Sequence, residues 1–185
     1  YPYDPEKAKQ LLDEAGWKVG ADGIREKDGK KLQINYLGSK SPNTDIFIAV
    51  AKENYKEIGV DFIPEQFPDF NTLVSKVNGG DFDMASFSTT IISDPSQGVS
   101  SFIKGETKGY NNPQIDELYA KGLATDDVEE RKKVYHEMFK ILNDELPVMF
   151  TNYTKSVIAI NGRIDGFELN PLAGIAHSLP NWELK

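Results

Sequence analysis

Cysteine is absent from the 185 residues, which removes disulfides, thiolate metal sites and thiol nucleophiles together. That absence does not fix a compartment. Histidine is scarce: the two copies, His136 and His177, stand far apart and form no H-x-x-x-H pair of the kind that holds zinc on a helix. An isolated histidine is more often structural than a ligand. Basic charge is also in deficit. With 21 Lys and Arg against 29 Asp and Glu, the net charge is -8 and the isoelectric point near 4.8. Nucleic acid is therefore excluded as a partner, because phosphates need a basic face, and anionic membrane surfaces are disfavoured for the same reason. No apolar run approaches the ~20 residues that span a bilayer. There is no internal repeat and no low-complexity linker.

What is present is a globular composition, 39% hydrophobic and 11% aromatic, in a length that suits one domain with a real core. The chain opens on a helix with both ends written in. Asp4 is placed to cap it, Pro5 sits at the first helical position, Ala8, Leu11, Leu12 and Ala15 form one apolar stripe, and Gly16 stops it. Turns at Ala21-Asp22-Gly23 and Lys27-Asp28-Gly29-Lys30 lead to a half-buried strand carrying Leu32, Ile34 and Tyr36. Ser41-Pro42 opens a helix to about Ile58, and Val60 to Phe67 reads as a strand. Asp69 caps a short helix with Phe70, Leu73, Val74 and Val77 on one face, and Phe82 to Ser88 is another strand. Strand, helix, strand, helix, strand predicts an α/β fold with a mainly parallel sheet.

Ser93 to Tyr110 reads as a long loop, and such loops in compact domains are often functional. Asn111-Asn112-Pro113 starts a helix through Leu123. Thr125 or Asp126 caps a longer one to about Leu146, with Val134, Met138, Ile141 and Leu142 at helical spacing. Pro147–Tyr153 and Ser156–Ile160 read as two strands. Phe167 to Lys185 has little periodicity and is expected to wrap along a surface.

The wording of the first helix, Asp-Pro-Glu-Lys-Ala-Lys-Gln-Leu-Leu-Asp-Glu-Ala-Gly-Trp over residues 4–17, resembles the solute-binding proteins of oligopeptide, dipeptide and nickel ABC transporters (solute-binding family 5). Further motifs follow in the family's order. They are Gly-Asp-Phe-Asp at 80–83, Asn-Pro-x-Ile-Asp-x-Leu at 112–118, Asp126 and Arg131 ahead of Tyr135, Asp-Glu-Leu-Pro at 144–147, and a final Trp182. The resemblance implies one periplasmic-binding-protein-like (class II) α/β lobe over residues 1–185, with a tail at 162–185. It also implies that the chain is the C-terminal part of a longer two-lobed receptor whose N-terminal lobe is missing. Such a receptor captures a solute by hinge closure and delivers it to ABC permease subunits. It is extracytoplasmic, lipid-anchored through the absent N-terminus at the cell surface or free in a periplasm. No cofactor is implied.

Ser88-Thr89-Thr90-Ile91-Ile92-Ser93-Asp94-Pro95 is the candidate binding segment. It follows the C-terminal end of a strand, the ligand edge of open α/β sheets, and offers hydroxyls and free backbone groups to an extended solute. It can equally be a capped turn. Peptide binders of the family carry an Asp three residues before the Asp-Pro or Glu-Pro step, where it pairs with the peptide's α-ammonium. Counting back from Asp94, that position is Ile91. The missing clamp leaves open a blocked or cyclic peptide, a metal chelate or another solute. The ligand-binding candidates are thus Ser88, Thr89, Thr90, Ile91 and Asp94, with Tyr153, which the resemblance puts near the cleft and which can also be core. A peptide-signal receptor would bind in the same way. A hydrolase would have to use Asp81, Asp83 or Asp94. Two carboxylates at i and i+2 share one strand face, but no base or orienting group accompanies them. The alternative for Asp81 and Asp83 is a solvated strand entrance.

Overall fold

The computed structural model describes residues 1–88, 94–103, 109–152, 157–170 and 173–185. It divides into two units, Tyr1–Ser88 and Thr89–Lys185.

In the first unit, helix α1 (Pro5–Glu14) is capped as expected, the Asp4 carboxylate accepting from the Lys7 amide at 2.8 Å. The apolar stripe is not buried, however: no residue of α1 is, and Leu11 is 52% exposed. Arg25 holds the helix end instead. It lies in the three-stranded antiparallel meander of β1 (Lys18–Val19), β2 (Arg25–Lys27) and β3 (Lys30–Lys31) and is only 3% exposed. Its guanidinium donates to Asp13 Oδ1, the Trp17 carbonyl and the Ile58 carbonyl, each at 2.8 Å. Gly59 makes room for it, since a Cβ there would come within 2.9 Å of Arg25 Cγ on a backbone with φ +81°.

The sheet follows in the predicted order: β4 (Gln33–Ser39), α2 (Pro42–Glu57), β5 (Asp61–Phe67), α3 (Phe70–Gly79) and β6 (Met84–Ala85). The strand order is β5-β4-β6, all parallel, with Leu37 opposite Glu65 on one side and Ala85 on the other. Alternation along β4 feeds two cores. Tyr36 packs with Ala51 and Phe62 beneath α2, and Leu37 with Phe67 and Leu73 beneath α3. Pro64 sits in β5, the edge strand that needs no outward N–H. β6 is shorter than the predicted Phe82–Ser88. Single backbone bonds, Asp83 N to Asn35 O and Ser86 N to Leu37 O, each 3.0 Å, extend its contact with β4 by one residue at each end.

In the second unit, α4 (Ser96–Val99) runs into a 3-10 turn at Ser100–Phe102, followed by α5 (Pro113–Ala124) and α6 (Val128–Glu145). Val99, Ile115, Val134, Tyr135, Met138 and Leu142 form the core, with Ile141 only partly buried at its margin. Asp127, not Thr125 or Asp126, caps α6, accepting from the Glu130 amide at 2.7 Å. Thr125 Oγ1 in turn accepts from the Asp127 amide at 3.2 Å. The two strands expected near residues 147–160 are not formed within 147–152 and 157–160; residues 153–156 lie outside the described set. Met149 and Phe150 are more than half exposed, and apolar alternation yields a strand only where a neighbour completes the ladder. The tail is knitted to itself. β7 (Ile164–Asp165) pairs antiparallel with β8 (Glu183–Leu184). The buried Ser178 hydroxyl accepts from Trp182 Nε1 at 2.9 Å and from the Glu168 amide at 3.1 Å.

Candidate functional site

The C-terminal edge of a parallel sheet is where chain reversals leave backbone groups and side chains free to meet a ligand. In the first unit that edge carries a pair of exposed aromatics. Phe70 opens α3 just after β5, and Phe87 lies two residues beyond β6. Their rings meet edge to face with centroids 6.0 Å apart, at 55% and 48% exposure. Phe87 shares the parity of Ala85, so the pair extends the core layer of Leu37, Phe67 and Leu73 to the rim of the sheet. Beside it, Ser86 Oγ shares a 2.6 Å hydrogen bond with the buried Tyr36 hydroxyl. Ser88 is exposed at the end of this unit. The sequence reading placed Phe70 on a packing face and passed over Phe87 and Ser86. The alternation from Met84 through Phe87 carried the signal, because a large apolar residue on the core parity past the strand's end has nothing left to cover it.

Thr89, Thr90, Ile91 and Tyr153 lie outside the described residues. Asp94, in the second unit, is described fully. Its Oδ1 accepts from the Ser96 amide at 2.9 Å, and both oxygens accept from Arg131 Nη2 at 3.0 and 2.8 Å. Hydrogen bonds from Ser96, and then from the Arg131 guanidinium, hold its carboxyl at about 2, well below the usual carboxylate range. Arg131 also donates through Nε to the Gly122 carbonyl at 3.1 Å and lies 5.5 Å from the Tyr135 ring centroid. Asp94, Arg131 and residues 123–126 line an open depression.

Of the Asp81–Asp83 pair, Asp83 is engaged at the strand entrance. Asp83 Oδ2 accepts from the Asn35 amide at 2.8 Å and the Asn35 side chain at 3.1 Å. It completes the ladder at the strand entrance. Among the described residues no group of three or more His, Asp and Glu side chains is placed to hold a metal ion. His136 and His177 are both exposed.

A parallel sheet flanked by helices, with exposed aromatic and hydroxyl side chains at its strand ends, defines an α/β module of the open-sheet class. The family model described as "Bacterial extracellular solute-binding proteins, family 5 Middle" matches residues 1–111. The chain belongs to this family. Among curated proteins it is 27% identical over 193 residues to the oligopeptide-binding protein AppA of Bacillus subtilis, covering 100% of the chain and 35% of that relative. It is 25% identical over 197 residues to the nickel-binding periplasmic protein of Escherichia coli, covering 99% and 36%. It therefore spans little more than a third of the length of these relatives. The solved structure of Bacillus subtilis AppA in complex with a nonapeptide superposes with a TM-score of 0.76 at 28% identity, covering 99% of this chain and 38% of that one. NikZ of Campylobacter jejuni in complex with Ni(L-His) gives 0.66 at 26% identity, covering 77% and 30%. The fold is periplasmic-binding-protein-like.

Proposed function

We propose that the chain is part of a receptor that captures an oligopeptide and delivers it to the permease subunits of an ABC importer. The observation that carries this reading is the exposed Phe70–Phe87 pair at the ligand edge of the sheet, in a fold that superposes over nearly its whole length on a protein solved with a nonapeptide. Aromatic faces and hydroxyls suit a peptide, whose side chains vary while its backbone repeats. In this reading Phe70, Phe87, Ser86 and Ser88 meet the solute at the sheet edge of the first unit, Thr89, Thr90, Ile91, Asp94 and Tyr153 stay binding candidates from the sequence, and a further lobe closes over the solute. Residues 1–185 then act as one lobe with a tail at 162–185. The protein is a binder and not an enzyme, and works outside the cytoplasm, lipid-anchored or in a periplasm.

Two measurements test it. Native mass spectrometry of the full protein that carries this chain, purified from its host, should show a co-purifying series of peptide masses. A single small mass with a metal isotope pattern would move the assignment to a chelate, the second reading, which the nickel-binding relatives favour. The other concerns the position three residues before Asp94. Ile91→Asp should tighten binding of free-amino peptides over N-acetylated ones by about tenfold, the scale of one charge-assisted pair. Equal affinities for the two forms would mean that the pocket is built for another solute.

A further inference from the structure

The apolar stripe of α3 and the alternation of β6 both overshoot the core, and they do so at the same end of the sheet. Phe70, Leu73 and Val77 stand at helical spacing on one face of α3. Leu73 is buried and Val77 packs beside it, while Phe70 lies one turn nearer the strand ends and is more than half exposed. On the strand side, Ala85 packs into the same cluster, and Phe87, on the same parity, is nearly half exposed. Single exposed apolar residues are ordinary on a protein surface. Two aromatics from different elements, brought ring to ring, are not. The rings cross at 89° with centroids 6.0 Å apart. In that geometry each ring holds the other, so the pair needs little further ordering when a third group arrives.

The polar groups around the pair indicate what that third group is. Asp69, which precedes Phe70, stays ionised: hydrogen bonds from the Thr72 amide at 2.9 Å and the Thr72 hydroxyl at 2.8 Å hold its carboxyl below the usual carboxylate range. An acidic group meets repulsion there, and the negative faces of the rings give it nothing in return. A further aromatic ring gains both contact area and edge-to-face geometry. On the opposite face of the strand end, Ser86 Oγ meets the hydroxyl of the buried Tyr36 at 2.6 Å. Among the described residues that serine is the phenol's only hydrogen-bond partner, so the phenol proton goes to Ser86 Oγ and the serine proton is left for another acceptor. A surface sealed by protein is apolar at its centre. This edge instead sets an aromatic shelf beside exposed hydroxyls, the mixture that solute pockets use.

We propose that Phe70 and Phe87 are specificity-determining residues: together they form a shelf that takes an aromatic side chain of a peptide solute and turns acidic side chains away. The proposal rests on the receptor reading above and narrows it to peptides that carry an aromatic residue.

The test uses the full protein carrying this chain and a synthetic nonapeptide series on an alanine–serine host, in which one phenylalanine or one glutamate is moved through each position in turn. In wild type, at least one position should favour phenylalanine over glutamate by about tenfold or more, the scale of one partly buried aromatic side chain. In Phe70→Ser and Phe87→Ser that ratio should fall to about twofold or less, because specificity is a difference of affinities. Phe87→Leu keeps an apolar surface, so there the ratio should fall only part of the way, and this variant supplies the answer should the serine variants not fold. A merely structural role would weaken every peptide alike. A ratio that survives both serine variants therefore overturns the proposal, as does a wild type that binds the series without preference. Phe87→Trp reads the shelf directly: acrylamide should quench the new indole in the free protein and lose access to it once a phenylalanine peptide is bound. An indole already shielded without peptide would mean that another part of the protein covers the pair, which also overturns the proposal. These failures leave the receptor reading standing, whereas a wild type that binds no member of the series sinks that reading and the shelf with it.

Discussion

Arg25 is a charged side chain in an almost wholly buried position, and it persists there because every direction it points in ends on an oxygen. Its partners are the main-chain carbonyls of Trp17 and Ile58, that of Lys9 at a longer 3.5 Å, and the half-exposed carboxylate of Asp13. Arg25→Met keeps the volume and strands the two carbonyls bound at 2.8 Å, those of Trp17 and Ile58, while Asp13 regains water. The expected loss is about 2–4 kcal/mol, one to two unsatisfied buried acceptors, read as a lower urea midpoint at unchanged slope. A loss under about 1 kcal/mol would mean that water replaces the guanidinium. Asp94 gives a second expectation at this scale. Its carboxyl is held at about 2, below its value in an unfolded chain (~3.9). A depressed acid contributes stability above the unfolded value and loses it as pH falls through the folded one. That contribution should therefore be complete above about pH 4 and fade toward pH 2. A carbon-detected titration of Asp94 checks the midpoint. In Arg131→Met the midpoint should rise yet stay below 4, since Ser96 still donates. A wild-type midpoint near 4 would show that the pair is open in solution.

At the scale of elements, the α5–α6 contact is close because Gly122 has no side chain. Gly122→Ala puts a methyl 3.0 Å from the Tyr135 ring, and α5 must shift or the ring must turn. The cost should be about 1–3 kcal/mol, as for an overpacked core, despite alanine's better helix propensity. Thermal unfolding measures it, and a stabilised variant would show that the contact relaxes freely. The helices and the parallel order of the sheet were legible in the sequence because caps, stops and apolar spacing are local. Asp4, Ser41, Asp69 and Asn112 each cap the helix that follows them. Three features were not legible, for one shared reason. The apolar stripe of α1, the expected strands around residues 147–160 and the C-terminal ladder depend on what lies across from them, and spacing along a chain does not record the partner. The candidate site divided in the same way. Ser88 and Asp94 follow from position relative to a strand end and a Pro, and alternation past Met84 marks Phe87, whereas the Phe70–Phe87 and Asp94–Arg131 pairings emerge only when distant segments are brought together.

At the scale of the whole molecule, the buried clusters fall cleanly along the sequence. Those of the first unit draw on Tyr36, Leu37, Ala51, Phe62, Phe67 and Leu73, and that of the second on Val99 and on α5 and α6, with no residue in common. A core truncation is felt by the residues that share its cavity, because the packed neighbours relax only in part. Leu73→Ala and Leu142→Ala remove side chains of equal size from positions almost fully buried, 1% and 0% exposed. Each should cost about 2–5 kcal/mol, and hydrogen exchange should locate the loss. Leu73→Ala should release the amides of β4 and β5, and Leu142→Ala those of α5 and α6, each leaving the other set protected. Equal release of both sets by either substitution would show that the chain unfolds as one cooperative body and that its two cores, though separate in composition, are one in energy.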